Sequence, residues 1–210
     1  MSRRARPLLG LLALLLSLGG CFSGFSSKSP PTQVYLLRPS LPSAPSAGAA
    51  ALDSVMVLLP QAPAGLASDG IAVLRSGGRL DYYRAARWAG TTPEMLQSLA
   101  MDALRATHRF ALAQSDTGAF ASGYVLSLEL HDFEAVYTDA GAPTIHVELI
   151  CSFGKRSDRG VLASFTAESE VRADADRLQS VVAAFDLASA QVLAQMAANL
   201  TQAAAAAGAH

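Results

Sequence analysis

Hydrophobic positions along this chain change rhythm several times, and each rhythm predicts an element. Tyr124, Leu126, Leu128 and Leu130 alternate with Ser127, Glu129 and His131. Ile145, Val147, Leu149, Cys151 and Phe153 alternate in the same way with His146, Glu148 and Ser152. Successive side chains of a strand point to opposite faces, so both runs read as strands with one apolar and one polar face. A turn through residues 139–143 joins them. A third such strand is expected over 161–172, with Val161, Ala163, Phe165, Ala167 and Val171 inward. Shorter β-prone runs lie at 33–37, 54–59 and 108–114, and the runs at 71–75 and 79–83 flank Gly77-Gly78 as a hairpin. At Leu96, Leu99, Ala100, Ala103 and Leu104 the spacing becomes three and four, which predicts a helix. Thr92 can cap it, with Pro93 at its first position. Leu178, Val181, Val182, Phe185, Val192, Met196 and Leu200 form the stripe of a second helix over about 177–205. The Ala-rich residues 201–210 are expected to fray. The sum is an α+β fold, an antiparallel sheet with two principal helices packed on one side.

The first residues follow a different pattern. Arg3, Arg4 and Arg6 precede an apolar run from Leu8 to Leu18, which ends in Gly19-Gly20-Cys21. That is the layout of a secretory signal. The run is too short for a membrane span, which needs about 17–25 apolar residues. Leu18-Gly19-Gly20-Cys21 resembles the lipobox of bacterial lipoproteins. The resemblance implies that residues 1–20 are removed and that Cys21 becomes the lipid-modified first residue. Residues 21–32 then hold the anchor and a Ser-, Gly- and Pro-rich tether, which spans at most about 40 Å. Phe22, where enterobacterial lipoproteins retained in the inner membrane carry Asp, favours the outer membrane of a Gram-negative envelope, facing the periplasm.

Removal of the signal takes the formal charge from −1 to −4, because three arginines leave with it. A chain that is not basic is poorly matched to nucleic acid. With Cys21 lipidated, Cys151 is alone and no internal disulfide is possible. It falls on the apolar face of its strand, where an inert buried thiol is expected. No phosphate loop, nucleophile elbow or zinc-type spacing occurs, so no catalytic residue, cofactor or metal is assigned. One arrangement could hold a metal. If the two long strands pair so that His131 faces His146 and Glu129 faces Glu148, their polar face gathers two imidazoles and two carboxylates. A one-residue slip would break that register, and the face is read as an ordinary solvated one. Tyr82, Tyr83, Arg84, Arg87 and Trp88 form an aromatic and basic cluster of a kind enriched at interfaces. The competing reading puts Trp88 in the core and the arginines on the surface.

The same segment, Leu80 to Ala89 running into Pro93-Glu94-Met95-Leu96, resembles the ABC-type transport auxiliary lipoprotein family, which includes the PqiC-like lipoproteins. Tyr35-Leu36-Leu37, Val55-Met56-Val57, Arg87-Trp88-Ala89, the run Asp132 to Ala135 and the run Val182 to Phe185 carry the likeness, over about residues 33–200. It implies a non-catalytic component of a system that moves lipids or other hydrophobic molecules between membranes. An ABC ATPase, a permease and an MCE-domain protein are the implied partners, with docking or homo-oligomer formation through the domain. The alternative is a structural or assembly lipoprotein of another envelope complex.

Overall fold

The computed structural model of the protein describes residues 31–41, 52–138, 141–157 and 159–208. Cys21, the signal segment, nearly all of the tether, most of the 39–51 loop and part of the 139–143 turn lie outside them. The compact unit is Thr32–His210.

Its longest strand, β6 (Tyr124–Tyr137), is the axis of an eight-stranded sheet. On one edge it pairs antiparallel with β7 (Thr144–Lys155), which pairs antiparallel with β8 (Val161–Arg172). On the other edge two short strands run parallel to it in succession. These are β2 (Val55–Val57), beside Tyr124 to Leu126, and β3 (Gly70–Arg75), beside Glu134 to Tyr137. Between them Gln61 bridges to Glu129. Beyond β2 lies β5 (Ala113–Ser115), parallel to it. Beyond β3 lies β4 (Arg79–Trp88), antiparallel, and then β1 (Gln33–Tyr35), parallel to β4.

The sheet is therefore mixed, which corrects the antiparallel expectation. The cause is visible at residues 55–75. This stretch keeps one direction along β6 instead of turning back, and Pro60 and Pro63, which have no N–H, interrupt its ladder. The return from β4 to β5 is made by helix α1 (Thr92–Ala106), and crossovers of this length permit parallel pairing.

Thr91, not Thr92, caps α1. Its Oγ1 accepts the Glu94 N–H at 3.5 Å, and Glu94 Oε2 accepts the Thr91 N–H at 3.1 Å, a reciprocal capping box. Thr92 is buried at the first helical position, and its hydroxyl donates to the Ser68 carbonyl at 3.1 Å. The second helix, α2 (Leu178–Gly208), continues past residue 205, with Leu200 and Ala204 fully buried near its end, so the tail expected to fray is helical through Gly208. Both helices pack on the sheet's apolar face and on each other, α1 over β2 and β5 and α2 over β7 and β8. Leu178–Ala207 is long and apolar enough to cross a membrane, yet more than half of its most apolar window is buried inside the domain.

Two further expectations change. Val161 is exposed, because a register shift at Gly154 turns the first residue of β8 outward. Residues 108–114 supply only the start of β5, since His108 sits in a turn with φ 51. Along the open edge of β8, Gln195 of α2 donates to the Glu168 carbonyl at 3.0 Å and accepts the Glu168 N–H at 3.3 Å. That amide occupies backbone groups which would otherwise be free to pair with another strand.

Candidate functional site

The outer faces of β6, β7 and β8 hold the histidines and carboxylates weighed from the sequence, in a different register. Leu130 pairs with Leu149, and the next pair is Asp132 with Glu148. His131 is the extra residue of a β-bulge. His131 consequently does not face His146, nor Glu129 Glu148. His146 stands opposite Glu134 on β6 and Glu170 on β8, and Glu129 stands opposite Ile150. The bulge places two consecutive residues, His131 and Asp132, on the polar face, so that Phe133 still points into the core. The sequence carries the signal for this. Apolar residues fall at 124, 126, 128 and 130 and then at 133 and 135, and a step of three inside an alternating strand marks an inserted residue.

Across this face Asp132, Glu148 and Glu168 lie side by side on three strands, with Glu134, His146 and Glu170 in the next row. A cleft of about 300 Å³ opens beside them, lined by Asp132, His146, Glu148, Glu168 and Glu170. His146 Nε2 is 3.7 Å from Glu170 Oε1. Glu134 is buried, and its Oε2 accepts the Phe133 N–H at 2.7 Å. Burial raises its carboxyl above the ordinary value, and Asp132 adds to the rise; that N–H, His146 and His131 oppose it.

The second candidate is β4. Gly70 pairs with Arg87 and Ala72 with Tyr82, so the β4 segment between Tyr82 and Arg87 bulges out. Ala85 there adopts φ 53, a left-handed conformation unusual for a residue with a Cβ. Gly70 is required here. A Cβ on it would meet the Tyr82 ring at 2.5 Å. Tyr82 and Arg84 are exposed, and the Tyr82 hydroxyl donates to the Gly65 carbonyl at 2.8 Å. Arg87 is exposed and paired with Asp69 at 2.9 Å, whereas Arg84 has no ion-pair partner among the described residues. Tyr83 is half-buried. Its hydroxyl is 2.8 Å from that of Tyr137, which donates to Asp176 at 2.6 Å, while the Arg75 guanidinium lies over the Tyr137 ring. Burial raises the pKa of both phenols.

Trp88 does not belong to this surface. It is fully buried, packed edge-on against Phe133 and Phe185, and its Nε1 has no hydrogen-bond partner among the described residues. The periodicity of β4 puts Trp88 and Ala86 inward and Arg87 outward, a pattern that was readable once the strand was known to extend beyond residue 83.

Cys151 is also interior, and burial pushes its thiol up to about 12 from an ordinary 9.0. At pH 8 that leaves about a thousandfold less thiolate than an exposed cysteine has. A thiol reagent should therefore modify Cys151 only at the rate of unfolding, and complete at once in denaturant. Stoichiometric labelling of the native protein within minutes would place Cys151 at the surface.

Against known families, a model described as "ABC-type transport auxiliary lipoprotein component" matches residues 35–197. The chain belongs to this family. The match spans every strand from the end of β1 to β8 and most of α2. A crystal structure of a protein from Xanthomonas campestris is similar to this auxiliary lipoprotein, with a TM-score of 0.77 and 22% identity, covering 85% of this chain and 99% of the other. A second crystal structure, of an uncharacterized protein, aligns with a TM-score of 0.59 and 17% identity over 82% of this chain and 98% of its own. Both likenesses concern the fold. Comparison with curated proteins found no match. As a transport auxiliary lipoprotein, the protein is a membrane-anchored component of the cell envelope that serves an ABC transport system.

Proposed function

We propose that this auxiliary lipoprotein is a non-catalytic docking component of an ABC/MCE-type system moving lipids or other hydrophobic molecules across the periplasm. In this reading Cys21 carries the lipid anchor and holds the domain at the outer membrane. The β4 surface formed by Tyr82, Tyr83, Arg84 and Arg87 meets the MCE-domain protein. The family match over residues 35–197 carries the proposal. The β4 surface supports it chemically. Exposed tyrosine and arginine on a rigid strand are the side chains most enriched at binding hot spots, and Arg84 is a charge with no internal partner among the described residues.

Affinity purification from detergent-solubilised membranes tests both parts. The wild-type protein is expected to retain the MCE-domain protein. Arg84→Glu is expected to lower its recovery about tenfold or more, in line with about 1.4 kcal/mol or more for a hot-spot residue. Recovery of other envelope proteins and no MCE protein would overturn the transport assignment and favour an assembly role. Retention unchanged by Arg84→Glu would move the docking surface elsewhere.

A further inference from the structure

The row Asp132, Glu148 and Glu168 is an arrangement that sheets normally avoid. Like charges directly opposite one another on neighbouring strands destabilise the pairing. Among the described residues no lysine or arginine forms an ion pair with any of the three, or with Glu134 or Glu170. Among the described residues, the nitrogen-bearing side chain drawn into the row is an imidazole. His131 Nδ1 is 3.4 Å from Asp132 Oδ1 and 3.5 Å from Glu148 Oε2, and the three donor atoms all lie within 4.8 Å of one another.

Those separations decide between two kinds of contact. Charge-assisted hydrogen bonds are shorter, about 2.7–2.9 Å. Donors that share a tetrahedral metal ion with bonds of about 2.0–2.2 Å stand about 3.3–3.6 Å apart. The two His131 distances fit that edge, and the part-exposed Glu148 side chain has room to complete the set. The bulge supplies two of the three donors from one strand and β7 supplies the third. Hence the site does not depend on a mobile loop. The adjoining cleft leaves space for water to fill the remaining positions.

From this geometry we propose that His131, Asp132 and Glu148 bind one divalent transition-metal ion of the Zn²⁺ type, which offsets two of the row's three negative charges and ties β6 to β7 at the bulge. An imidazole with two carboxylates suits Zn²⁺, whereas Ca²⁺ and Mg²⁺ favour sets made wholly of oxygen. Glu168, opposite Glu148, is placed to hydrogen-bond a metal-bound water. His146, turned toward Glu134 and Glu170, is outside the donor set. This site departs from the absence of a metal expected from the sequence, and it does not rest on the transport reading.

The test is a calorimetric titration of chelator-treated full-length protein in detergent with ZnCl₂ at pH 7.5. One saturable equivalent is expected. His131→Ala and Glu148→Gln should each weaken it about tenfold or more, the scale of losses around metal sites. His146→Ala and His108→Ala should stay within about twofold of the parent. Thermal melts guard against a folding artefact. Both donor variants alter part-exposed or exposed side chains and should melt cooperatively, and Zn²⁺ should raise the midpoint of the parent but of neither donor variant. No saturable binding, or binding equally tight in His131→Ala and Glu148→Gln, would mean an adventitious ion only and would overturn the site. Ca²⁺ binding that is tighter than Zn²⁺ and indifferent to His131→Ala would overturn the imidazole ligand.

Discussion

Replacing Trp88 by alanine should lower stability by about 3–5 kcal/mol, a large share of the roughly 5–15 kcal/mol that holds a domain of this size together. Three elements meet at this indole. Trp88 ends β4, Phe133 follows the bulge in β6, and Phe185 lies on α2. The ring centroids are 6.0 Å apart for Trp88–Phe133, 5.2 Å for Trp88–Phe185 and 4.9 Å for Phe133–Phe185. All three side chains are essentially inaccessible to water. Alanine would leave a void enclosed by two rings whose backbones belong to different elements, so collapse is restricted and the cavity cost stays high. The orphaned Nε1 sharpens the expectation. Since it makes no hydrogen bond among the described residues, Trp88→Phe removes no polar interaction there and should cost only about 1–2 kcal/mol from the smaller ring. Urea unfolding followed by circular dichroism measures both, with the midpoint falling and the slope unchanged. A loss below about 1 kcal/mol for Trp88→Ala would show that the three aromatics do not act as one packed unit.

The second large effect concerns Cys21. A form of the protein in which residues 22–210 follow an ordinary cleaved export signal should move from the membrane fraction to the soluble periplasm. Each buried methylene contributes about 0.8 kcal/mol, and stable attachment takes about two lipid signals, so loss of the acyl chains removes the attachment almost entirely. Carbonate-washed membranes, blotted beside the periplasmic fraction, read the result. The competing anchor within the chain is Leu178–Ala207, by length and composition. In the folded domain its Val181, Phe185, Val192, Met196 and Leu200 are already packed on the sheet. Inserting that helix into lipid would strip β7 and β8 of their cover. Protein that stayed with the membrane without Cys21 would make α2 the anchor and contradict the packing.

Legibility from the sequence followed locality. The second half of the chain was readable as strands 144–155 and 161–172 and one long helix, because its alternation and its three-four spacing are continuous. The first half was harder. β1, β2 and β5 are three residues each, too short for a period to declare a direction. Nothing within residues 54–59 or 71–75 says that both run parallel to a strand more than fifty positions later. Ala85 gave no warning of its left-handed backbone, since alanine lacks the chemistry that announces such a turn. Of the aromatic and basic cluster, Arg84 and Arg87 were correctly read as solvent-facing candidates. For Trp88 a surface and a core reading stood side by side, and the structure bears out the core one, because β4 runs to residue 88 rather than 83 and its alternation turns the indole inward.

The polar face shows the same division at finer scale. Its residue types were all in view, but their grouping depended on one inserted residue. A register difference of three residues separates a His131–His146 pair from the His131, Asp132 and Glu148 set. The alternating hydrophobicity, the cap-and-proline entry to α1 and the membrane-export pattern at the N-terminus were determined by the sequence itself, because each depends on side chains within a few positions of one another. The parallel pairing of β2 and β3 with β6, the burial of Trp88 and the meeting of three carboxylates with one imidazole were decided only by the tertiary structure. Those features depend on which distant backbone fills an open strand edge, and that choice is made by the packing of the whole core.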